Sequence, residues 1–120
     1  MIEDSFVVRL TRVRIRFART LAIKIDETVA AVPKLSFVAP SAAAAVAKAY
    51  RHVHSIVGAG PTVGFPATGH AARNVEAILQ TAQQERRGLT AGEIALLTRA
   101  LRVLRVVAAR ELRPSDTIRP

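Results

Sequence analysis

The chain has no cysteine and no tryptophan, and only five aromatic residues: Phe6, Phe17, Phe37, Tyr50 and Phe65. Without cysteine there is no disulfide framework and no thiolate metal site. That suits a reducing compartment, and a cytoplasmic location is the expectation. No charge-free apolar run is long enough to span a bilayer, and the acidic start "MIEDSF" carries no targeting pattern, so no membrane partner is expected. Acidic residues are scarce as well: 9 Asp and Glu stand against 18 Lys and Arg, a formal net charge of +9. Such an excess implies an acidic partner, whether nucleic acid, an anionic membrane or an acidic protein pocket, and does not choose among them.

Half of the 120 residues are hydrophobic, mostly Ala, Val and Leu. This composition supports a core built from helices packed through aliphatic side chains. One domain over residues 1–113 and a loose tail over 114–120 are expected, with Pro114 stopping the last helix. Phe6, Leu10, Val13, Phe17, Leu21, Ile25 and Thr28 or Val29 recur at spacings of three and four, predicting a helix from about Ser5 to Val32 that ends at Pro33. After the linker "PKLSFVAPS", Ser41 is placed as N-cap of an alanine-rich second helix that loosens in "GAGPTVGFP". A third helix starts near Pro66 and ends around Arg86 to Gly88, burying Ala71 or Ala72, Val75, Ile78 or Leu79, and Ala82. The fourth opens on a Thr90–Glu93 capping box and carries Ile94, Leu97, Leu101, Leu104 and Ala108 on its core stripe. The connections after the first linker are short, so the expected fold is all-α, an antiparallel up-down four-helix bundle.

The stretch "YRHVHSIVGAG" sets two histidines two residues apart among small and apolar neighbours. With about 100° per residue, Val46, Tyr50, Val53 and Val57 define a buried face, and His52 and His54 flank it on opposite sides. Ile56 stands one turn after His52, whereas His54 has Ala47 and Gly58 along its stripe and Arg51 beside it. Bare backbone beside an imidazole leaves room for another molecule, so His54 has the accessible setting. His52 and His70 read as surface or structural histidines. No carboxylate or further histidine completes a metal-ligand spacing. The sequence has no nucleophile with a base and an orienting partner, and no phosphate loop.

The run from His54 to Gly58, continued by "AGPTVGF" with its second glycine at Gly64, resembles the histidine-containing phosphotransfer (HPt) domain of bacterial phosphorelays. That family's pattern is His-x-x-Lys-Gly, a small-residue stretch, a glycine closing the turn, and an Ala and a Glu on the next helix, here Ala72 and Glu76. The resemblance implies that His54 accepts a phosphoryl group from an aspartate of a receiver domain or a hybrid histidine kinase system and passes it to a response-regulator aspartate. Arg51, Gly58, Ala47, Val57 and Gly64 would support or dock. Such a chain is a phosphocarrier rather than an enzyme of the usual kind. It needs no cofactor of its own, because Mg²⁺ sits on the partner receiver. Val57 stands where the family places lysine.

Three other readings stay beside this one. A degenerate HPt fold would bind a kinase or receiver without taking phosphate. A basic bundle would lie on nucleic acid through Arg9, Arg12, Arg14, Arg16 and Arg19, although no helix-turn-helix spacing is present. Finally, Val8, Ile15 and Ala22 form a stripe opposite the Phe6–Leu10–Phe17 face, which suggests a homodimer or partner docking through the first helix.

Overall fold

The structure, a computed structural model, describes residues 2–111, with side chains from residue 5 onward. The expected tail and its stop at Pro114 lie outside the described residues. Four helices follow in order: α1 (Ile2–Leu35), α2 (Ala42–Ala59), α3 (Pro66–Gln84) and α4 (Ala91–Glu111). A single 3₁₀ turn, Pro61–Val63, joins α2 to α3. The fold is all-α, a four-helix bundle.

Cross-links between helices fix its up-down sense. Lys24 Nζ donates to Ser55 Oγ at 2.7 Å, and Glu27 lies 3.8 Å from His52, so the α1 and α2 numbers run in opposite directions. Glu76 pairs back to His54, and Arg105 Nη2 donates to Asp26 Oδ1 at 2.6 Å, giving the same sense to α2/α3 and α1/α4.

Leu21, Val46, Val53, Val75, Leu79, Leu97, Leu101 and Leu104 fill the interior. Each such side chain contributes roughly 1.5–3 kcal/mol relative to leaving it in water. Ala49, Ala71, Ala72 and Ala82 are buried between them, and α2 and α3 pack together most extensively. Ile78 and Ile94 lie half-buried at the edge of the core.

The helix ends are held by specific groups. Thr90 and Glu93 form the expected capping box: Thr90 N–H donates to Glu93 Oε1 at 2.9 Å, and Glu93 N–H to Thr90 Oγ1 at 3.2 Å. Glu111, at the end of α4, accepts the N–H groups of Ala67 and Thr68 at 2.9 and 2.7 Å and so caps the start of α3. Ser41 occupies the N-cap position of α2, yet its backbone is left-handed (φ 57°) and its hydroxyl makes no cap, so side-chain capping by Ser41 is not observed.

The structure corrects the first helix in two respects. Pro33 does not end it: α1 continues to Leu35, which is wholly buried. Proline removes only one donor, and the end is set instead by Leu89, whose N–H donates to Leu35 O at 2.7 Å while its carbonyl accepts Phe37 N–H at 3.0 Å. The expected core stripe also fails at its N-terminal end. Phe17 is half-buried and Leu21, Ile25 and Thr28 are buried, but Phe6, Leu10 and Val13 are exposed, as are Val8 and Ile15 on the opposite side. The period was read correctly, but no other helix reaches far enough to cover those turns. With 34 residues α1 is about 51 Å long at ~1.5 Å per residue, in a molecule measuring 57 × 25 × 19 Å. Its last anchors to the bundle end are Phe17, stacked on Phe65 at 5.5 Å between ring centroids, and Arg14, whose guanidinium lies over the same ring at 5.0 Å.

Candidate functional site

The buried face of α2 is centred on Ala42, Val46, Ala49, Val53 and Ile56, with Tyr50 and Val57 only half-buried. This face is turned toward His52 relative to the expected Val46–Tyr50–Val53–Val57 stripe, because Ala49 and Ile56 enter the core and Tyr50 and Val57 flank it. The histidines are therefore unequal. The His52 side chain is 24% exposed and faces Glu27 on α1, while that of His54 is 67% exposed and turns toward α3.

His54 is held on two sides. Its Nδ1 is hydrogen-bonded to Glu76 Oε2, and its ring stacks on Tyr50 with 5.7 Å between centroids and 13° between planes. A carboxylate can only accept, so Nδ1 carries the hydrogen and donates it. Nε2 is then the nitrogen with the free lone pair, on an imidazole two-thirds open to solvent. Glu76 is mostly buried, with a side chain 16% exposed, and so is a well-fixed orienting group. One further turn along α2, Gly58 is exposed, and a methyl group added there would meet no atom within 4 Å. The approach to His54 from that side is bare backbone.

The turn beyond is built to bring α3 alongside. Gly64 has φ +93°, the left-handed region in which L side chains are strained. Gly60 and Gly69 face each other closely: a methyl on Gly60 would stand 3.0 Å from Ile56 O and 3.3 Å from Gly69 Cα, and one on Gly69 would come 2.8 Å from Pro61 Cδ. Phe65 N–H closes the loop on Gly60 O at 2.8 Å. These close approaches seat the first turn of α3 against the end of α2, and they place Glu76 across from His54.

The other sequence-derived positions divide by location. Arg51 is exposed in the turn before His54 and Ala47 half-buried two turns before it, and Arg51 forms no ion pair among the described residues. Val57 packs against the core, so no cation is offered one turn after His54. Gly64 is in the turn, away from the imidazole, with Arg14 beside it. His70 is exposed at the start of α3. No cluster of three His, Cys, Asp or Glu that would hold a metal occurs among the described residues.

Sequence reading did not find the stacking of Tyr50 or the bond to Glu76. The signal for Tyr50 is its place four residues before His54, one turn back on the same side of the helix. No protein-family model matches the chain, and neither a curated protein nor a solved structure matches it.

Proposed function

We propose that the chain is a histidine phosphotransfer protein: His54 takes a phosphoryl group from a receiver-domain aspartate and hands it to a response-regulator aspartate. The observation that carries this reading is the Nδ1 bond to Glu76, which leaves Nε2 as the free nitrogen on an exposed ring beside the bare backbone of Gly58.

The chemistry follows from that arrangement. The Nε2 lone pair attacks the phosphorus of an aspartyl phosphate. An N–P bond forms, the P–O bond to the aspartate breaks, and the carboxylate leaves with the electron pair. The Nδ1 hydrogen stays where it is, so the phosphorylated ring becomes cationic, and the Glu76 carboxylate offsets that charge through the bond it already accepts. The reverse steps return the phosphoryl group. The chain supplies a positioned nucleophile, and Mg²⁺ with its acidic ligands belongs to the receiver. A net charge of +9 favours encounter with such an acidic site.

The test is incubation with a phosphorylated receiver domain and Mg²⁺, followed by assay for acid-labile, base-stable phosphate on the chain. Label is expected on wild type and absent from His54→Gln. Undiminished label on His54→Gln overturns the assignment. A second reading rests on Val57: with no cation one turn after His54, the fold serves as a docking module that binds a receiver or kinase without taking phosphate. Receiver binding with no label on wild type decides for it.

A further inference from the structure

Residues 5–25 contain six basic side chains and no acidic one. Two of the six are engaged with the bundle: Arg14 lies over Phe65, and Lys24 donates to Ser55. The other four, Arg9, Arg12, Arg16 and Arg19, are exposed and form no ion pair among the described residues. At about 100° per residue they fall within an arc of about 80°. Val8 and Ile15 border that arc on one side and Phe6 and Val13 on the other, and Val7 and Leu10 lie on the side away from it. All six apolar side chains are 42–60% exposed. The overhanging half of α1 thus mixes unpartnered arginines with unpartnered large apolar groups. A helical stretch this short, rich in β-branched residues, is weakly stable alone in water, and a covering partner stabilises it.

Charge decides which partner fits. A second copy of the chain would cover the apolar groups but would bring four more arginines and another +9 of net charge against the first. Nucleic acid would answer the arginines and leave Phe6, Val8, Val13 and Ile15 in water. A bilayer surface rich in anionic lipid answers both, since phosphates and an acyl boundary lie within one side-chain length of each other. Arginine stems reach that far, keeping the guanidinium at the phosphates while the helix sinks.

We propose that the N-terminal half of α1 is an interfacial helix that binds anionic membranes, its apolar flanks at the acyl boundary and Arg9, Arg12, Arg16 and Arg19 on the lipid phosphates. No helix of the described residues is long and apolar enough to cross a membrane; the expectation that there is no membrane partner rests on that lack of a span, and lying on a membrane surface requires neither length nor uniform apolarity. His54 turns toward α3, on the opposite flank of α2 from the α1-facing His52, so a chain held this way keeps its imidazole open. The proposal stands independently of the phosphotransfer reading.

The experiment is co-sedimentation of the full chain with vesicles of phosphatidylcholine alone and of phosphatidylcholine with phosphatidylglycerol in equal parts, at low and moderate salt. Retention on the anionic vesicles is expected to exceed that on neutral ones at least tenfold and to fall with salt. Arg12→Gln and Arg16→Gln are each expected to weaken it by about fivefold. Ile15→Glu is expected to weaken it more, with thermal unfolding unchanged because the position is exposed. No retention on anionic vesicles, or equal retention on both kinds, overturns the proposal. So does a monomer–dimer equilibrium in sedimentation that Ile15→Glu abolishes while vesicles take up nothing, because a second copy then covers the face. Salt-sensitive binding to an oligonucleotide with no vesicle uptake overturns it as well.

Discussion

The His54 imidazole and the Glu76 carboxylate belong to different helices, yet they share one hydrogen bond through Nδ1. That bond fixes the tautomer, fixes the ring plane together with Tyr50, and places a negative charge where the ring would become cationic in the proposed transfer. Glu76→Gln keeps a hydrogen-bond acceptor and loses the charge, while Glu76→Ala loses both. Phosphotransfer from a receiver is expected to slow by about tenfold in the first and by about a hundredfold in the second, in line with roughly 1.4 kcal/mol of barrier per tenfold. Single-turnover label transfer measures both. Rates equal to wild type in Glu76→Ala would show that the carboxylate is structural only.

Gly58 and Gly69 illustrate two opposite uses of a missing side chain. At Gly69 an added methyl would collide with Pro61, so Gly69→Ala is expected to destabilise the fold by about 1–3 kcal/mol. At Gly58 nothing within the chain needs the space, and glycine within a helix costs about 1 kcal/mol relative to alanine. Gly58→Ala is therefore expected to raise stability by up to about 1 kcal/mol while slowing transfer, because a docked receiver meets the new methyl beside His54. Denaturant unfolding and label transfer on the same two proteins check the opposed signs. A Gly58→Ala protein that is both more stable and as fast as wild type would remove Gly58 from the docking surface.

The bundle was legible because most of its helices bury regular stripes. Val75, Leu79 and Ala82 on α3, and Leu97, Leu101, Leu104 and Ala108 on α4, occupy the core as their spacing requires. The stripe on α1 was legible as a period and misleading as a burial map: Phe6, Leu10 and Val13 repeat correctly, but no neighbouring helix reaches them. Periodicity reports which face is apolar, and only helix lengths and connections say whether anything covers it. The pairing of His54 with Glu76 was hidden for a related reason. It depends on the register set where Gly60 meets Gly69. Counting six residues back from the first and six on from the second brings His54 opposite Val75, beside Glu76. A close approach between a glycine that caps one helix and a glycine inside the next has no local signature.

Arg87 and Glu93 make stability depend on pH at the acid end. The Arg87 guanidinium donates to both carboxylate oxygens of Glu93, at 2.7 and 3.1 Å, and Glu93 also accepts from Thr90 N–H. Arg87 first, and the backbone bond second, hold the Glu93 carboxyl down at about 2, against an ordinary value of 4.5, and the same pairing pushes Arg87 upward. The stabilisation is present wherever the unfolded carboxyl is ionised, above about pH 4.5, and is lost as the pH falls through the window toward 2. Thermal midpoints measured across that window are expected to fall less steeply in Glu93→Gln than in wild type. Parallel profiles would mean that other carboxylates set the acid limit.

Under the proposed phosphotransfer reading, Arg51 is the cation placed to do what a lysine at position 57 would do. It is exposed in the turn before His54, unpaired among the described residues, and its planar guanidinium suits two oxygens of one phosphoryl group. Val57, packed against the core, cannot be that group without unpacking α2. A docked receiver would exclude water from the Arg51 contact and make it stronger than an exposed one. Arg51→Ala is accordingly expected to slow transfer by about tenfold, roughly 1.4 kcal/mol of barrier. Arg102→Ala on the exposed side of α4 removes the same charge far from His54 and serves as the control. The ratio of the two rates should survive moderate salt, which screens long-range steering and leaves a closed contact largely intact. If both variants slow equally, and both effects vanish with salt, Arg51 acts only through the net charge. If neither slows, the receiver supplies all the positive charge the phosphoryl group meets, and the chain needs no replacement for the lysine.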